Sequence, residues 1–185
     1  MYNQNMSGPV RHRHSKLTTV LEAARLVRAQ ISKLAPVVFD QNYIDPENLM
    51  GACGIASYTL SRVLRKCGVR CDLVIGRFWS STIRDHGNHS WIYVESLDLI
   101  VDITATQYPD MPSEVHVTAG DDFRYKSELH NRQAVKDLKE WEGQSPLLYQ
   151  EALDKVIDAV TVKMFETRFL ERVPSRSDDS VTWEV

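Results

Sequence analysis

The chain has 185 residues, of which 43% are hydrophobic and 25% charged, and its formal net charge is -3. This length suits one domain with a substantial core, and the small negative charge gives no general reason to expect a nucleic-acid partner. Three cysteines are too few, and odd in number, for a disulfide framework, so we expect a reducing, cytoplasmic setting. No apolar run approaches the roughly 18 residues that span a bilayer. The start of the chain lacks the apolar core of a signal peptide, so we expect no membrane contact.

The first part of the chain predicts one helix between two irregular segments. Residues 1–15 are polar and basic and show no period, which predicts a mobile N-terminal arm. Residues 16–35 carry a broad apolar face at helical spacing, and Pro36 should end that helix. Residues 36–50 indicate a structured loop.

A second predicted helix covers residues 51–67 and carries the first chemically informative side chain. Its apolar face is formed by Ala56, Leu60, Val63, Leu64 and Cys67. Gly68 is a natural stop at its C-terminal end, so the helix should begin between Gly51 and Gly54, with Cys53 in its first turn. Unpaired backbone N–H groups and the positive end of the helix dipole favour a thiolate at that position.

The segment 88–104 alternates like two strands joined by a tight turn, and it carries His89 and Asp102. A turn at Glu95-Ser96 would gather the aliphatic residues on one face and set His89 directly opposite Asp102 on the other. A turn at Leu97-Asp98 would keep both residues on one face but separate them by about four residues, roughly 13 Å. Burial of the aliphatic face favours the first register, although Glu-Ser is not a favoured two-residue turn.

The remaining segments complete an alternating pattern of strands and helices. Residues 71–78 predict a strand and residues 80–87 a polar loop. Residues 115–117 could form an edge strand, residues 126–142 a helix, and residues 146–172 a long C-terminal helix.

Together these elements predict an α+β fold in which the helix at residues 51–67 is followed by strands, with further helices before and after them. We expect a single domain over residues 16–173 and a loose polar tail at residues 174–185.

Cys53, His89 and Asp102 together form a candidate catalytic site. A thiolate is intrinsically nucleophilic. His89 would take or share its proton, and Asp102 would fix the tautomer of the ring and stabilise the imidazolium. The oxyanion of a tetrahedral intermediate would need hydrogen-bond donors. The Cys53 backbone N–H is one candidate donor, and the side chain of Gln41 or Asn42 is a weaker second one.

Five motifs then carry a family resemblance: Gly51-Ala-Cys53, Leu64-Arg-Lys-Cys-Gly68, Val74-Ile-Gly76, His89-Ser-Trp91 and Asp102-Ile-Thr104. In this order they resemble the transglutaminase-like core of the papain-like superfamily of cysteine enzymes. The resemblance covers about residues 50–108. It implies a papain-like core in which the helix carrying Cys53 packs on a small antiparallel sheet, with His89 and Asp102 on neighbouring strands. The chain departs from the commonest form of the family at Ser90, which is often Ala, and at Ile103, which is often Pro.

The resemblance implies a Cys-His-Asp triad that attacks an amide or acyl carbonyl and forms an acyl-enzyme. The expected activity is that of a peptidase, an amidase or deamidase, or a transamidase, acting on a protein, peptide or small amide or acyl substrate. Neither a metal nor an organic cofactor is required. Trp91 and Gln107 are further candidates for lining the substrate site.

Other interpretations of these residues stay open. Cys53 could be a small buried helix residue, Trp91 could simply pack in the core, and His86 is a rival base in the polar loop. Cys67 and Cys71 lack the second ligand pair of a zinc site.

Two other functions are also compatible with the three residues. One is an acyltransferase resembling arylamine N-acetyltransferases, which favour a Val-Gly-Phe-Gly-like stretch after the Asp, where this chain has Ile-Thr-Ala. The other is a catalytically silent binding module of the same fold.

Overall fold

The computed structural model describes residues 8–38, 47–127, 132–133 and 147–172. In these residues the chain is a mixed α+β structure. The helices are α1 (Gly8–Val38), α2 (Cys53–Lys66) and α3 (Leu147–Arg172). The strands are β1 (Asp72–Ser80), β2 (Asp85–Val94), β3 (Leu99–Asp102), β4 (His116–Ala119), β5 (Tyr125–Lys126) and β6 (Arg132–Gln133). Short 3-10 turns follow β2 at Glu95–Leu97 and follow β3 at Ala105–Gln107.

The strands form an antiparallel sheet in the order β4-β3-β2-β1-β5, and β6 also pairs with β1. The sheet curls so far that side chains from its two ends meet. His116 of β4 stacks on Tyr125 of β5 with ring centroids 6.2 Å apart, and its Nε2 atom lies 3.1 Å from Arg124. The curl encloses one face of the sheet and leaves the other face for the helices.

Both faces of the sheet are therefore buried, each in its own cluster. Ile92 of β2 and Val101 of β3 pack in the larger cluster with residues of all three helices. Their neighbours Trp91 and Ile100 point to the opposite face and join a smaller, aromatic-rich cluster. This division follows from the alternation of side chains along a strand.

Helix α2 begins and ends where the sequence predicts. Cys53 is its first residue, and Cys67 and Gly68 follow its last. Gly68 adopts a φ of 79°, and the backbone N–H of Val69 donates to the Leu64 carbonyl at 2.9 Å. A left-handed glycine with such a returning hydrogen bond is a common way to end a helix.

Helix α1 is longer than predicted at both ends. It begins at Gly8 and so includes residues 8–15 of the predicted N-terminal arm; residues 1–7 lie outside the described residues. Contacts with the β2–β3 connection explain the early start, since Arg13 donates to the Leu97 carbonyl at 3.3 Å and Lys16 to the Ser96 hydroxyl at 3.0 Å. Pro36 does not end the helix, which continues to Val38.

The observed register between β2 and β3 differs from the predicted one by two residues. Val94 pairs with Leu99, and Ile92 with Val101. The connection is not a two-residue turn, because the 3-10 turn is followed by Asp98 in the left-handed region, with a φ of 53°. His89 is therefore not directly opposite Asp102. A shift of two residues nevertheless keeps every side chain on its predicted face.

The other predicted elements have mixed outcomes. The strand at 71–78, the edge strand near 115–117 and the long C-terminal helix are confirmed as β1, β4 and α3. The predicted loop at 80–87 is shorter, because β2 already begins at Asp85. The predicted helix at 126–142 is wrong at Lys126 and at Arg132–Gln133, which are strand residues paired with β1. The rest of that segment and the tail at 174–185 lie outside the described residues.

Among the helices of the described residues, none is both long and apolar enough to cross a membrane.

Gly76 should be intolerant of any side chain. It pairs with His89 across β1 and β2, and an added Cβ would overlap the Lys126 carbonyl and lie 2.5 Å from the Trp91 ring. We expect Gly76→Ala to lower the free energy of unfolding by about 1–3 kcal/mol, the usual cost of overpacking. Urea unfolding followed by circular dichroism would measure this change. An unaltered midpoint would mean that β5 and Trp91 do not approach β1 as closely as described.

Candidate active site

The first turn of α2 brings Cys53 to the side of His89. The Cys53 sulfur lies close enough to the His89 side chain and to the backbone of Ser90 for both groups to lower its pKa. One turn later the Ser57 hydroxyl donates to the Ser90 carbonyl at 3.0 Å, which fixes the start of the helix against β2. Cys53 is half-buried, whereas Cys67 and Cys71 are buried; none of the three forms a disulfide.

His89 and Asp102 form a buried ion pair behind Cys53. The Nε2 atom of His89 lies 2.6 Å from Oδ2 of Asp102, and both side chains have no exposed surface. Asp102 also accepts hydrogen bonds from the Tyr125 hydroxyl at 3.1 Å and from the backbone N–H and hydroxyl of Thr104 at 2.8 and 3.1 Å. Both carboxylate oxygens are thus occupied, as a buried carboxylate requires.

The charges of the three side chains support one another. Burial by itself would raise the pKa of Cys53, but the hydrogen bond and charge of His89 hold that pKa below its usual range. Burial would lower the pKa of His89, whereas the adjacent Asp102 carboxylate raises it. Burial would raise the pKa of Asp102, and His89, Thr104 and Tyr125 together lower it. These directions favour a thiolate, an imidazolium and a carboxylate at neutral pH.

Gln107 contacts the other nitrogen of the His89 ring. Its Nε2 atom lies 2.7 Å from His89 Nδ1. Since Nε2 of His89 faces Asp102, Nδ1 is the nitrogen that is left for Cys53, and Gln107 shares this side of the ring. An amide can donate to a neutral imidazole nitrogen, or accept from an imidazolium after turning over.

Aromatic rings surround His89 and exclude water from it. Tyr108 makes an edge contact at 5.3 Å between centroids, Phe78 another at 5.8 Å, and Trp91 lies at 6.0 Å. Tyr125, which binds Asp102, also packs on Trp91 at 5.1 Å. A site of low polarity strengthens the electrostatic contacts inside it.

The structure brings together four of the predicted site residues: Cys53, His89, Asp102 and Gln107. Trp91 lies beneath the His89 ring and is 2% exposed, so its position is that of a packing residue. Gln41 and Asn42 lie outside the described residues. Across the described ranges there is no group of three or more His, Cys, Asp or Glu side chains placed to hold a metal ion.

Two residues that hold Asp102 were not given that role from the sequence. Thr104 was named only as part of the Asp102-Ile-Thr104 motif, and its role could have been found, because a carboxylate commonly accepts from the backbone N–H two residues later. Tyr125 gave no such signal, because it comes from a different strand and reaches Asp102 only through the curl of the sheet.

No protein-family model matches this chain, and no curated protein or solved structure is significantly similar to it. The resemblance to transglutaminase-like enzymes therefore stays a prediction.

Tyr125→Phe tests how the buried carboxylate is held. It removes one hydrogen bond to a charged group, for which we expect a loss of about 1.5–3 kcal/mol in the free energy of unfolding at neutral pH. Because the folded state lowers the pKa of Asp102, this contribution is present above the unfolded pKa of about 3.9. It is lost as the pH falls through the lower, folded value. Urea unfolding at several pH values would show the two proteins converging in acid.

Tyr58→Phe is the matched control. Tyr58 is 1% exposed, and among the described residues its hydroxyl has one hydrogen bond, a long 3.5 Å contact that it accepts from Gln150. A loss as large in this control as in Tyr125→Phe would argue against a special role for the Asp102 contact.

Proposed function

We propose that this protein is a cysteine enzyme of the transglutaminase-like type that performs acyl chemistry on an amide or peptide bond. The observation that carries the proposal is the chain of contacts from Cys53 through His89 to Asp102, at the first residue of a helix. A nucleophile, a base and a group that orients the base are the three parts that covalent acyl transfer requires.

In the resting enzyme the thiol proton resides on His89. The thiolate is stabilised by the imidazolium and by the first turn of α2, where backbone N–H groups have no intrahelical acceptor. Asp102 holds the ring through Nε2 and leaves Nδ1 directed toward the sulfur. The lowering of the Cys53 pKa by His89 is consistent with this state.

Attack of the thiolate on the amide carbon forms a C–S bond and moves the carbonyl π electrons onto oxygen. The backbone N–H of Cys53 is one donor for this oxyanion. The Gln107 amide is the second donor that we propose, because it already lies next to the ring nitrogen at the point of attack. In the resting state its carbonyl oxygen accepts from the imidazolium, and its NH2 group is then free to turn and donate to the oxygen of the substrate.

Collapse of the tetrahedral intermediate breaks the C–N bond. His89 gives its Nδ1 proton to the departing amine, which leaves an acyl-enzyme and a neutral imidazole. The imidazole then takes a proton from the acceptor as that acceptor attacks the thioester. Water as acceptor gives a carboxylic acid, and a primary amine gives a new amide. Either route returns the proton to His89 and restores the thiolate.

Selective alkylation tests the nucleophile. Cys53 should react with iodoacetamide far faster than Cys71 at pH 7, because burial raises the pKa of Cys71 to about 11 whereas that of Cys53 is lowered. Peptide mapping by mass spectrometry after brief labelling of the folded protein would give both rates. The Cys53 rate should rise with pH through a pKa below the usual value of about 8.5.

His89→Ala should abolish this advantage. Without the imidazolium, burial and the Asp102 charge both raise the pKa of Cys53, and the contact with the Ser90 backbone opposes them. The alkylation rate at pH 7 should therefore fall by at least about tenfold, which corresponds to one pKa unit. Equal labelling of Cys53 in wild type and His89→Ala would contradict the proposed role of His89.

The reaction itself can be followed with glutamine-containing peptides as probes. Intact-mass analysis with and without a primary amine separates the routes, since deamidation adds about 1 Da and transfer adds the amine with loss of ammonia. Cys53→Ala should be inactive, and Cys71→Ala should retain activity. A screen that also includes simple peptides and acyl thioesters and shows no Cys53-dependent turnover would overturn the enzymatic proposal.

A further inference from the structure

Arg28 is the most unusual charged residue outside the Cys53–His89–Asp102 cluster. It lies in the middle of α1 and is 2% exposed. Arginine is rarely buried this completely unless it is paired, and desolvating its charge costs several kcal/mol. Within the described residues, no carboxylate lies within salt-bridge distance of its guanidinium, and its Nε atom has no hydrogen-bond partner.

The guanidinium instead donates to the segment that follows Asp102. Nη1 donates to the Ile103 carbonyl at 2.7 Å, one residue after the carboxylate. Nη2 donates to the Thr106 hydroxyl at 3.1 Å, one residue before Gln107. Arg28 thus contacts the residue that follows Asp102 and a residue inside the 3-10 turn that presents Gln107 to His89.

The same group also reaches the loop that leads into α2. Nη2 lies 3.4 Å from the Glu47 carbonyl, and the Thr106 hydroxyl donates to the Asn48 carbonyl at 3.1 Å. The next residue, Leu49, has a φ of 59° and is completely buried. A non-glycine residue in this region is strained by about 1–3 kcal/mol and persists only where its surroundings hold it.

We propose that Arg28 and Thr106 are positioning residues that tie the Asp102–Gln107 segment to the loop entering the Cys53 helix, with Arg28 also supplying a fixed positive charge near the cluster. This inference rests on the proposed function. Arg28 touches none of the three reacting side chains and acts on them through the two segments that it joins.

The net charge of the Cys53–His89–Asp102 cluster is the reason to expect an effect of the Arg28 charge. A thiolate, an imidazolium and a carboxylate sum to one negative charge, and Arg28 offsets it at longer range. Burial lowers the pKa of Arg28, while the charges of Glu114 and Asp102 oppose that shift. The groups that face Cys53 are His89, Asp102 and the un-ionised Tyr108. Arginine remains protonated in proteins, so its charge is constant over the working pH range.

The two roles can be separated by two variants. Arg28→Met removes the charge and the donors, whereas Thr106→Val removes the tie and keeps the charge. The readout is the iodoacetamide alkylation rate of Cys53 against pH, with thermal unfolding measured alongside. Arg25→Met, an exposed position on the same helix, is the matched control.

Arg28→Met should move the rise of the Cys53 alkylation rate to higher pH. Loss of a nearby positive charge makes the Cys53 thiolate harder to form. We expect a fall of about threefold in the rate at pH 6, equivalent to about half a pKa unit. Thr106→Val should lower the maximal rate without moving the pH of the rise, and Arg25→Met should match wild type.

Arg28→Lys keeps the test decisive if Arg28→Met does not fold. A lysine retains the charge but lacks the planar fork that reaches two segments at once. Arg28→Lys should therefore lower the maximal alkylation rate as Thr106→Val does, without moving the pH at which the rate rises.

A wild-type profile from folded Arg28→Lys and Thr106→Val would overturn the positioning role. An unshifted rise of the alkylation rate in a folded Arg28→Met would overturn the role of the charge. In both cases selective labelling of wild-type Cys53 would leave the proposed function standing. Absence of that selectivity in wild type would instead refute the proposed function, and the inference with it.

Discussion

The buried contact between His89 and Asp102 is the constraint on which the rest of the site depends. Neither side chain has exposed surface, and removing an ion from water costs several kcal/mol unless other groups replace the lost hydration. The replacement comes from Thr104 and Tyr125, which occupy the remaining acceptor positions of the carboxylate. The turn after β3 and the short strand β5 are therefore parts of the site, although neither carries the nucleophile.

The two buried faces of the sheet have different roles. The helix-facing side supplies the aliphatic core that anchors α1, α2 and α3. The opposite side supplies the aromatic surroundings of His89. Cys53 can reach His89 on this second side because it is the first residue of α2 and lies before the part of the helix that packs in the aliphatic core. A cysteine one or two turns later would lie deep in the aliphatic core.

The sequence predicted the local features of this arrangement and missed the distant ones. Helical spacing and Gly68 were enough to put Cys53 in a first turn, and alternation was enough to put His89 and Asp102 on one face. The 3-10 turn ending at Asp98 left no pattern distinguishable from a tighter turn. Tyr125 and Arg28 reach the site only through the curl of the sheet and the packing of α1, which no local spacing reveals.

The corrected register also explains which ring nitrogen serves which partner. Directly opposed residues have Cβ atoms about 4.5–5.5 Å apart, whereas diagonal neighbours are about 7–8 Å apart. Across the longer spacing, His89 contacts Asp102 through Nε2, the nitrogen at the far end of the ring. Nδ1, which is nearer the backbone, then remains for Cys53 and Gln107. A two-residue turn would have brought the carboxylate too near the root of the imidazole for this division, so the longer turn suits the chemistry that we propose.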